Sequence, residues 1–253
     1  MKRSLILSAF ILVVCGAAFG QGLPDKPFNK WSKSEANKIL NDSPWVKTRE
    51  IRVVVKQGKR HVAGMTATSV DEQRANKAEL GGANAPVDFK VTLRLRSALP
   101  VRQALVRLRQ IEARYDQMSA SDRAAFDEKI KGLMECPACA MNYVITVSAK
   151  SSNEPGADPV FEILKGATLP AIKQYIYIAN ERGERRELIH FVPPKAGGEE
   201  AMFFFERLDE EDRPLFRPGD KKLIFRMSDK DAGAVTNFEF DLSELMVNGE
   251  IAF

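Results

Sequence analysis

Two cysteines separated by two residues are the strongest chemical feature of this chain. Cys136 and Cys139 can close a disulfide, exchange with other disulfides, or supply half of a zinc site. The pair follows a predicted helix and precedes a predicted strand, whereas an oxidoreductase of the thioredoxin type has its first cysteine at the start of a helix. Ala140 stands where haem attachment requires a histidine. We therefore expect a structural disulfide, with a redox-active pair, a metal site and free thiols as the alternatives.

A metal site would have to include the two histidines of the chain. His61 and His190, together with Cys136 and Cys139, are the ligand types of a tetrahedral Cys2His2 centre. Their spacing is unlike that of a zinc finger, and a lone histidine is more often a surface or core residue than a ligand. We therefore predict no metal and no other cofactor, and keep these four residues as the alternative ligand set.

Sequence motifs for catalysis are missing from the chain. It contains no G-x-S-x-G, H-E-x-x-H, P-loop or G-x-G-x-x-G pattern. A Ser-His-Asp triad would need His61 or His190 as its base, and strand alternation makes His190 an edge or surface residue. The 34 acidic residues are too many to sort into a glycosidase pair without geometry. The sequence favours a non-catalytic protein and leaves an unrecognised hydrolase open.

Arginine is concentrated between Asp88 and Met118, where seven basic residues stand against three acidic ones. Because arginine suits phosphate, carboxylate or sulfate, this segment predicts an anion-binding surface. The candidates are Arg94, Arg96, Arg102, Arg107, Arg109 and Arg114. The alternative is that they are solvated positions of a strand and a helix. The segment Glu199–Asp212 holds seven acids and one base, Arg207. We hypothesise that this acidic block faces the basic one, between domains or between molecules, and that neutralising Arg102 and Arg107 would weaken the contact.

The first twenty residues predict export. Two basic residues precede the apolar segment Leu5–Val14, which is too short for a stable membrane anchor, and small residues precede a cleavage site before Gln21. We therefore predict that residues 1–20 are a signal peptide and that the protein is periplasmic or secreted. In the alternative Cys15 is lipidated, but the residue before it is larger than lipoprotein processing accepts. No later segment has the roughly 20 apolar residues of a membrane helix.

The composition restricts the class of partner. Of all residues 44% are apolar, which supports a hydrophobic core. The net charge of +4 falls to +2 without Lys2 and Arg3, because 36 basic residues then face 34 acidic ones. This near balance argues against nucleic acid as a partner. We expect another exported protein or an anionic surface polymer, and an oxidising compartment favours the disulfide.

Hydrophobic periodicity predicts an α+β fold in two regions. Residues 28–150 combine a few strands with a helix capped by Ser32 and Glu35 and with a helical hairpin. Residues 156–253 are mainly antiparallel β, a sheet or a small sandwich, and a linker precedes them. The segment 57–86 predicts a long loop, which is either functional or disordered. The predicted strands are Glu50–Lys56, Val87–Ser97, Asn142–Ala149, Gln174–Asn180, Glu187–Val192, Ala201–Leu208, Lys222–Met227 and Thr236–Leu242.

Three segments resemble an uncharacterised group of exported bacterial proteins. They are WSKSEANKILNDSPW (31–45), SALPVRQAL (97–105) and FEFDLSELM (238–246). The resemblance implies an exported protein and carries no activity and no catalytic residues. We therefore expect a non-catalytic extracytoplasmic binding or structural module. The alternative is a thiol-disulfide redox or metal-dependent activity centred on the Cys136/Cys139 pair.

Overall fold

The computed structural model describes residues 22–56, 59–62, 87–151, 161, 164–228 and 235–253. The predicted signal peptide, most of the segment 57–86 and most of the predicted linker lie outside these residues. The helices are α1 (Lys33–Asn41), α2 (Leu99–Glu112), α3 (Ala120–Glu135), α4 (Pro137–Met141) and α5 (Leu169–Ile172). The strands are β1 (Val46–Lys56), β2 (Lys59–Val62), β3 (Val87–Leu95), β4 (Asn142–Ser151), β5 (Ile176–Asn180), β6 (Arg185–Glu187), β7 (His190–Val192), β8 (Ala201–Glu206), β9 (Lys222–Ser228), β10 (Val235–Asp241), β11 (Met246–Val247) and β12 (Glu250–Ile251).

This content of helices and antiparallel sheets confirms the predicted α+β fold. Within the described ranges, no helix has the length and apolar character needed to cross a membrane.

The first helix begins at the predicted capping box. The Ser32 hydroxyl accepts a hydrogen bond from the Glu35 backbone amide at 3.2 Å, and the Glu35 carboxylate accepts one from the Ser32 amide at 2.7 Å. These two bonds satisfy amides that the start of a helix leaves without partners. The apolar face of α1, formed by Ala36, Ile39 and Leu40, is buried. The predicted helix is confirmed.

Strands from both predicted regions form one antiparallel sheet. Its order is β2-β1-β3-β4-β8-β7, and β4 pairs with β8 from Asn142 opposite Glu206 to Val147 opposite Ala201. Residues 28–150 and 156–253 therefore do not form separate sheets. A turn-rich segment shows where the chain leaves a strand. It does not show which strands pair, because pairing depends on the match between the side-chain faces of strands that lie far apart in sequence.

A second sheet packs across one face of the first. Its order is β10-β9-β5-β6. Phe225 of β9 lies 5.8 Å from Phe203 and 6.1 Å from Phe205 of β8, measured between ring centroids. Phe238 of β10 lies 6.4 Å from Phe225. Because all four rings are buried, the two sheets share one hydrophobic core.

The apolar residues of helices α1 and α2 belong to the same hydrophobic core as the two sheets. Arg94, whose position in β3 alternates to the face away from Leu93 and Leu95, donates from Nε to the Leu40 carbonyl of α1 at 2.6 Å. Arg107 of α2 donates from Nε to the Trp31 carbonyl at 2.8 Å. The predicted helical hairpin is confirmed, since Arg102 near the start of α2 donates to the Met134 carbonyl near the end of α3.

Two predicted segments need correction. Residues 59–62, within the predicted loop 57–86, form β2, which pairs with the end of β1. The predicted strand Glu187–Val192 is divided: β6 pairs with β5 in the second sheet, and β7 pairs with β8 in the first. Leu188, fully buried in the core, lies between them. The chain passes from one sheet to the other there, and an apolar run does not reveal such a crossing.

The capping box predicts a specific dependence of stability on pH. The side chain of Lys26 and the backbone amide of Ser32 lower the pKa of Glu35 from 4.5 to about 2. A lowered pKa in the folded state means that the ionised carboxylate stabilises the protein above pH 4.5, and that this contribution is lost as the pH falls towards 2. Urea unfolding should therefore show Glu35→Gln less stable than the wild type at pH 7 and equal to it near pH 2.

Ser32→Ala is the matched control for this prediction. Its hydroxyl does not titrate, so its loss of about 1 kcal/mol should persist at both pH values. A Glu35→Gln difference that is unchanged between pH 7 and pH 2 would contradict the role assigned to the carboxylate.

Candidate binding site at one end of the first sheet

Four neighbouring strands of the first sheet end or begin at the same level. The end of β3 lies beside the start of β4, with Leu95 opposite Ile145. The start of β4 lies beside the end of β8, and the start of β7 lies beside the same part of β8. We call this region the sheet end: it comprises the residues that follow β3 and β8 and those that precede β4 and β7. It therefore collects segments far apart in sequence.

The cysteine pair lies at the sheet end. Cys136 and Cys139 form a disulfide, with their Cα atoms 5.3 Å apart, and this confirms the predicted pairing. Cys136 has a positive φ of 42° and ends α3, while its carbonyl accepts a hydrogen bond from the Cys139 amide at 2.7 Å. The expectation that the pair does not stand at the start of a helix is wrong, because Cys136 immediately precedes the first residue of α4. The sequence did not reveal α4, since five residues are too short to show helical periodicity.

Two arginines bond to the backbone in and next to the disulfide turn, the name we use for residues 136–139. Arg102 Nη1 donates to the carbonyls of Met134 and Glu135, the latter at 3.4 Å. Arg207 Nε donates to the Cys139 carbonyl at 2.9 Å, and its guanidinium lies over the Tyr143 ring at 4.6 Å from the centroid. Carbonyls at the end of a helix lack partners within the helix, so both contacts stabilise the turn.

Two guanidinium groups near the disulfide turn each have one buried N–H donor without an acceptor. Arg102 Nε, and Nη1 of the neighbouring Arg96, are buried without a hydrogen-bond partner. In the part of the chain that the structure describes, Arg96, Arg102 and Arg207 form no ion pair within 4.0 Å; the nearby Glu200 carboxylate is paired with Arg94. We call Arg96, Arg102 and Arg207 the arginine triad. A buried donor without a partner is costly, which makes the triad a candidate anion site.

The pKa shifts agree with three neighbouring positive charges. Burial lowers the pKa of Arg96, Glu200 opposes this shift, and Arg102 adds to it. Burial also lowers the pKa of Arg102, with a further contribution from Arg207, and burial lowers the pKa of Arg207. Because a guanidinium keeps its proton at neutral pH, the triad remains cationic.

Of the six predicted anion-binding arginines, only Arg96 and Arg102 belong to the triad. The others have different positions: Arg94 bonds Leu40, Asn41, Ser148 and Glu200; Arg107 bonds Trp31, Gln110 and Asp116; Arg109 pairs with Glu112; and Arg114 is exposed after α2. Arg207, the third member, was missed because acidic residues surround it in sequence. The sequence did contain one signal, namely that Arg207 is the only basic residue of the acidic block Glu199–Asp212.

The basic and acidic blocks meet at one ion pair, between Arg94 and Glu200. Within the chain the blocks do not meet through Arg102 and Arg107, because these arginines bond to other groups. A contact of the two blocks between molecules stays a hypothesis. Elsewhere in the acidic block Asp209 pairs with Arg213, so short-range turn contacts account for much of its charge.

The structure does not bring the alternative metal ligands together. His61 is on β2 and His190 on β7, at opposite edges of the first sheet. Five strand spacings of about 4.8 Å separate these edges. His190 is exposed and its ring packs on Phe204 at 5.0 Å. Across the described ranges, no group of three or more His, Cys, Asp or Glu is arranged to hold a metal ion.

Exposed apolar side chains lie at the same end of the first sheet as the triad. Leu99, Met141, Ile189 and Leu208 are 38–68% exposed, and within the described residues they are the large hydrophobic side chains with most exposure. Leu99 follows β3, Met141 precedes β4, Leu208 follows β8 and Ile189 precedes β7, so all four lie at the sheet end. Exposed apolar groups that cluster in this way are typical of interaction sites.

No protein-family model matches the chain, and neither a curated protein nor a solved structure matches it. The resemblance to exported bacterial proteins therefore stays a prediction.

The disulfide turn predicts a modest stabilisation. The bond closes a loop of only a few residues, for which the loss of chain entropy in the unfolded state corresponds to about 2 kcal/mol. The double variant Cys136→Ser with Cys139→Ser should therefore fold, and urea unfolding should show a loss of about that size. Failure of this variant to fold would show that the turn, with its bonds to Arg102 and Arg207, depends wholly on the disulfide.

Proposed function

We propose that the chain is an exported, non-catalytic binding module that takes a peptide segment of another exported protein at the sheet end. The observation that carries this proposal is that four exposed apolar side chains lie at the same end of the sheet as three arginines that form no ion pair with a carboxylate of the described residues. Such a surface can contribute hydrophobic burial and charge-assisted hydrogen bonds to the same ligand.

The size and shape of the surface favour a peptide over a membrane or a charged polymer. The four apolar residues extend over three strand spacings, about 14 Å, which matches a few residues of extended chain. Arg96, Arg102 and Arg207 are half-buried, which suits a single inserted carboxylate better than a broad anionic surface. Exposed Glu135, Glu206 and Glu210 near the sheet end would also repel such a surface.

The proposal that the protein is exported rests on two features. The N-terminal residues have the pattern of a signal peptide, with an apolar segment and small residues before Gln21. The Cys136–Cys139 disulfide is also of a kind that persists outside the reducing cytoplasm.

Selection from a library of random nine-residue peptides tests the proposed surface directly. We expect the oxidised protein to enrich a family of peptides rich in apolar residues, and the Met141→Ser and Leu208→Ser variants to bind them at least tenfold more weakly. Removing a large apolar contact accounts for a loss of about this size.

Met118→Ser is the matched control, because Met118 lies at the far end of the helical hairpin from the sheet end. It should leave binding unchanged. No enrichment, or equal losses in Met118→Ser and Met141→Ser, would contradict the proposed surface.

A redox activity of the cysteine pair is the second candidate, and two observations favour it. Cys136 is half-buried and not fully enclosed, and the arginines that bond to the turn would stabilise a thiolate. In this reaction a substrate dithiol would be oxidised to a disulfide while the Cys136–Cys139 bond is reduced to two thiols. Rapid oxidation of a dithiol peptide, abolished in Cys136→Ser, would support it. A disulfide that resists glutathione would favour the binding module.

A further inference from the structure

We infer that the arginine triad is a subsite for one side-chain carboxylate, carried by a peptide whose flanking residues are apolar. This inference rests on the proposed function and adds the chemistry of the ligand. It names Arg96, Arg102 and Arg207 as the residues that bind the carboxylate.

The first step of the argument is that no carboxylate of the described residues forms an ion pair with the triad, since the nearby Glu200 carboxylate pairs with Arg94. Arg96 makes no hydrogen bond to any described residue, and its Nη1 is buried. Arg102 uses Nη1 for two carbonyls, which leaves its buried Nε without an acceptor. As whole residues Arg96, Arg102 and Arg207 are only half-buried. A carboxylate offers two oxygens and about four acceptor positions, so one group can accept hydrogen bonds from the accessible donors of more than one guanidinium.

The second step is that two members of the triad are already held in place. Arg102 is fixed by the carbonyls at the end of α3, and Arg207 by the Cys139 carbonyl and the Tyr143 ring. A ligand that binds them therefore loses less free energy to side-chain ordering than it would on flexible surface arginines. Of the three carbonyls that hold these side chains, the last turn of α3 supplies those of Met134 and Glu135 and the disulfide turn supplies that of Cys139, so the turn contributes to the subsite without touching the ligand.

The third step is that apolar residues lie at both the β3 side and the β8 side of the sheet end. Leu99 follows β3, between Arg96 and Arg102 in sequence, while Leu208 follows Arg207 after β8 and Ile189 precedes the edge strand β7. A peptide that covers both sides must continue in both directions from the group bound by the arginines. A side-chain carboxylate in the middle of the peptide meets this requirement, whereas a C-terminal carboxylate covers one side only.

The test uses three small peptides: acetyl-Leu-Glu-Leu-amide, acetyl-Leu-Gln-Leu-amide, and acetyl-Leu-Gln-Leu with a free C-terminal carboxylate. Binding to the oxidised full chain is followed by NMR of the arginine Nε–H groups. We expect the Glu peptide to bind at least about tenfold more tightly than the neutral Gln peptide, because it alone offers a charged acceptor at the centre. Stronger binding of the free C-terminal peptide would overturn the choice of a side-chain carboxylate.

Arg96→Gln is the main variant, because Arg96 makes no hydrogen bond within the described structure and its loss should leave the fold intact. Arg109→Gln is the matched control, since Arg109 is exposed on α2 and pairs with Glu112. The preference for Glu over Gln should fall to less than twofold in Arg96→Gln and persist in Arg109→Gln. Equal preference in both variants would overturn the subsite.

Sodium acetate separates this inference from the proposed function. Saturable acetate shifts at the triad, combined with no effect of Met141→Ser on peptide binding, would support the subsite and overturn the apolar surface. Apolar peptides that bind through Met141 without any preference for Glu would support the apolar surface and overturn the subsite. Acetate shifts that rise linearly, without saturation, would count against the subsite.

Discussion

The pairing of β4 with β8 holds the two halves of the chain in one sheet, and the other features of the sheet end depend on it. This pairing places the residue after β8, Arg207, beside the turn that precedes β4. The same strands carry Phe203 and Phe205 to Phe225, so the second sheet is attached through β8 as well. Without the β4–β8 ladder, the chain would have neither a common core nor a common site.

The disulfide turn illustrates how a helix end can organise a cationic surface. The last carbonyls of α3 and the turn after it need donors, and the chain supplies them from two arginines in different elements. Each arginine satisfies carbonyls with part of its guanidinium, and Arg102 keeps Nε without an acceptor. Local stabilisation of the turn and the anion-binding capacity of the triad therefore arise from the same side chains, Arg102 and Arg207.

Local features were predictable from the sequence because their causes are local. The capping box at Ser32 and Glu35, the alternation in β3 and the cysteine spacing each depend on a few adjacent residues. The six-stranded sheet was not predicted, because the pairing of β4 with β8 is decided by faces about sixty residues apart in sequence. Arg207 was missed for the same reason: its neighbours in sequence are acidic, while its neighbours in space are a disulfide turn and another arginine.

Native-state hydrogen exchange tests the central claim, that β4 and β8 belong to one cooperative sheet. The amides of Asn142–Val147 and Ala201–Glu206 should exchange with the same opening free energy as those between β3 and β4, because the strands open in one unit. If the β8 amides exchange through a smaller opening that leaves the β3–β4 amides protected, the two halves are separable, and the sheet end is not a site that the whole fold maintains.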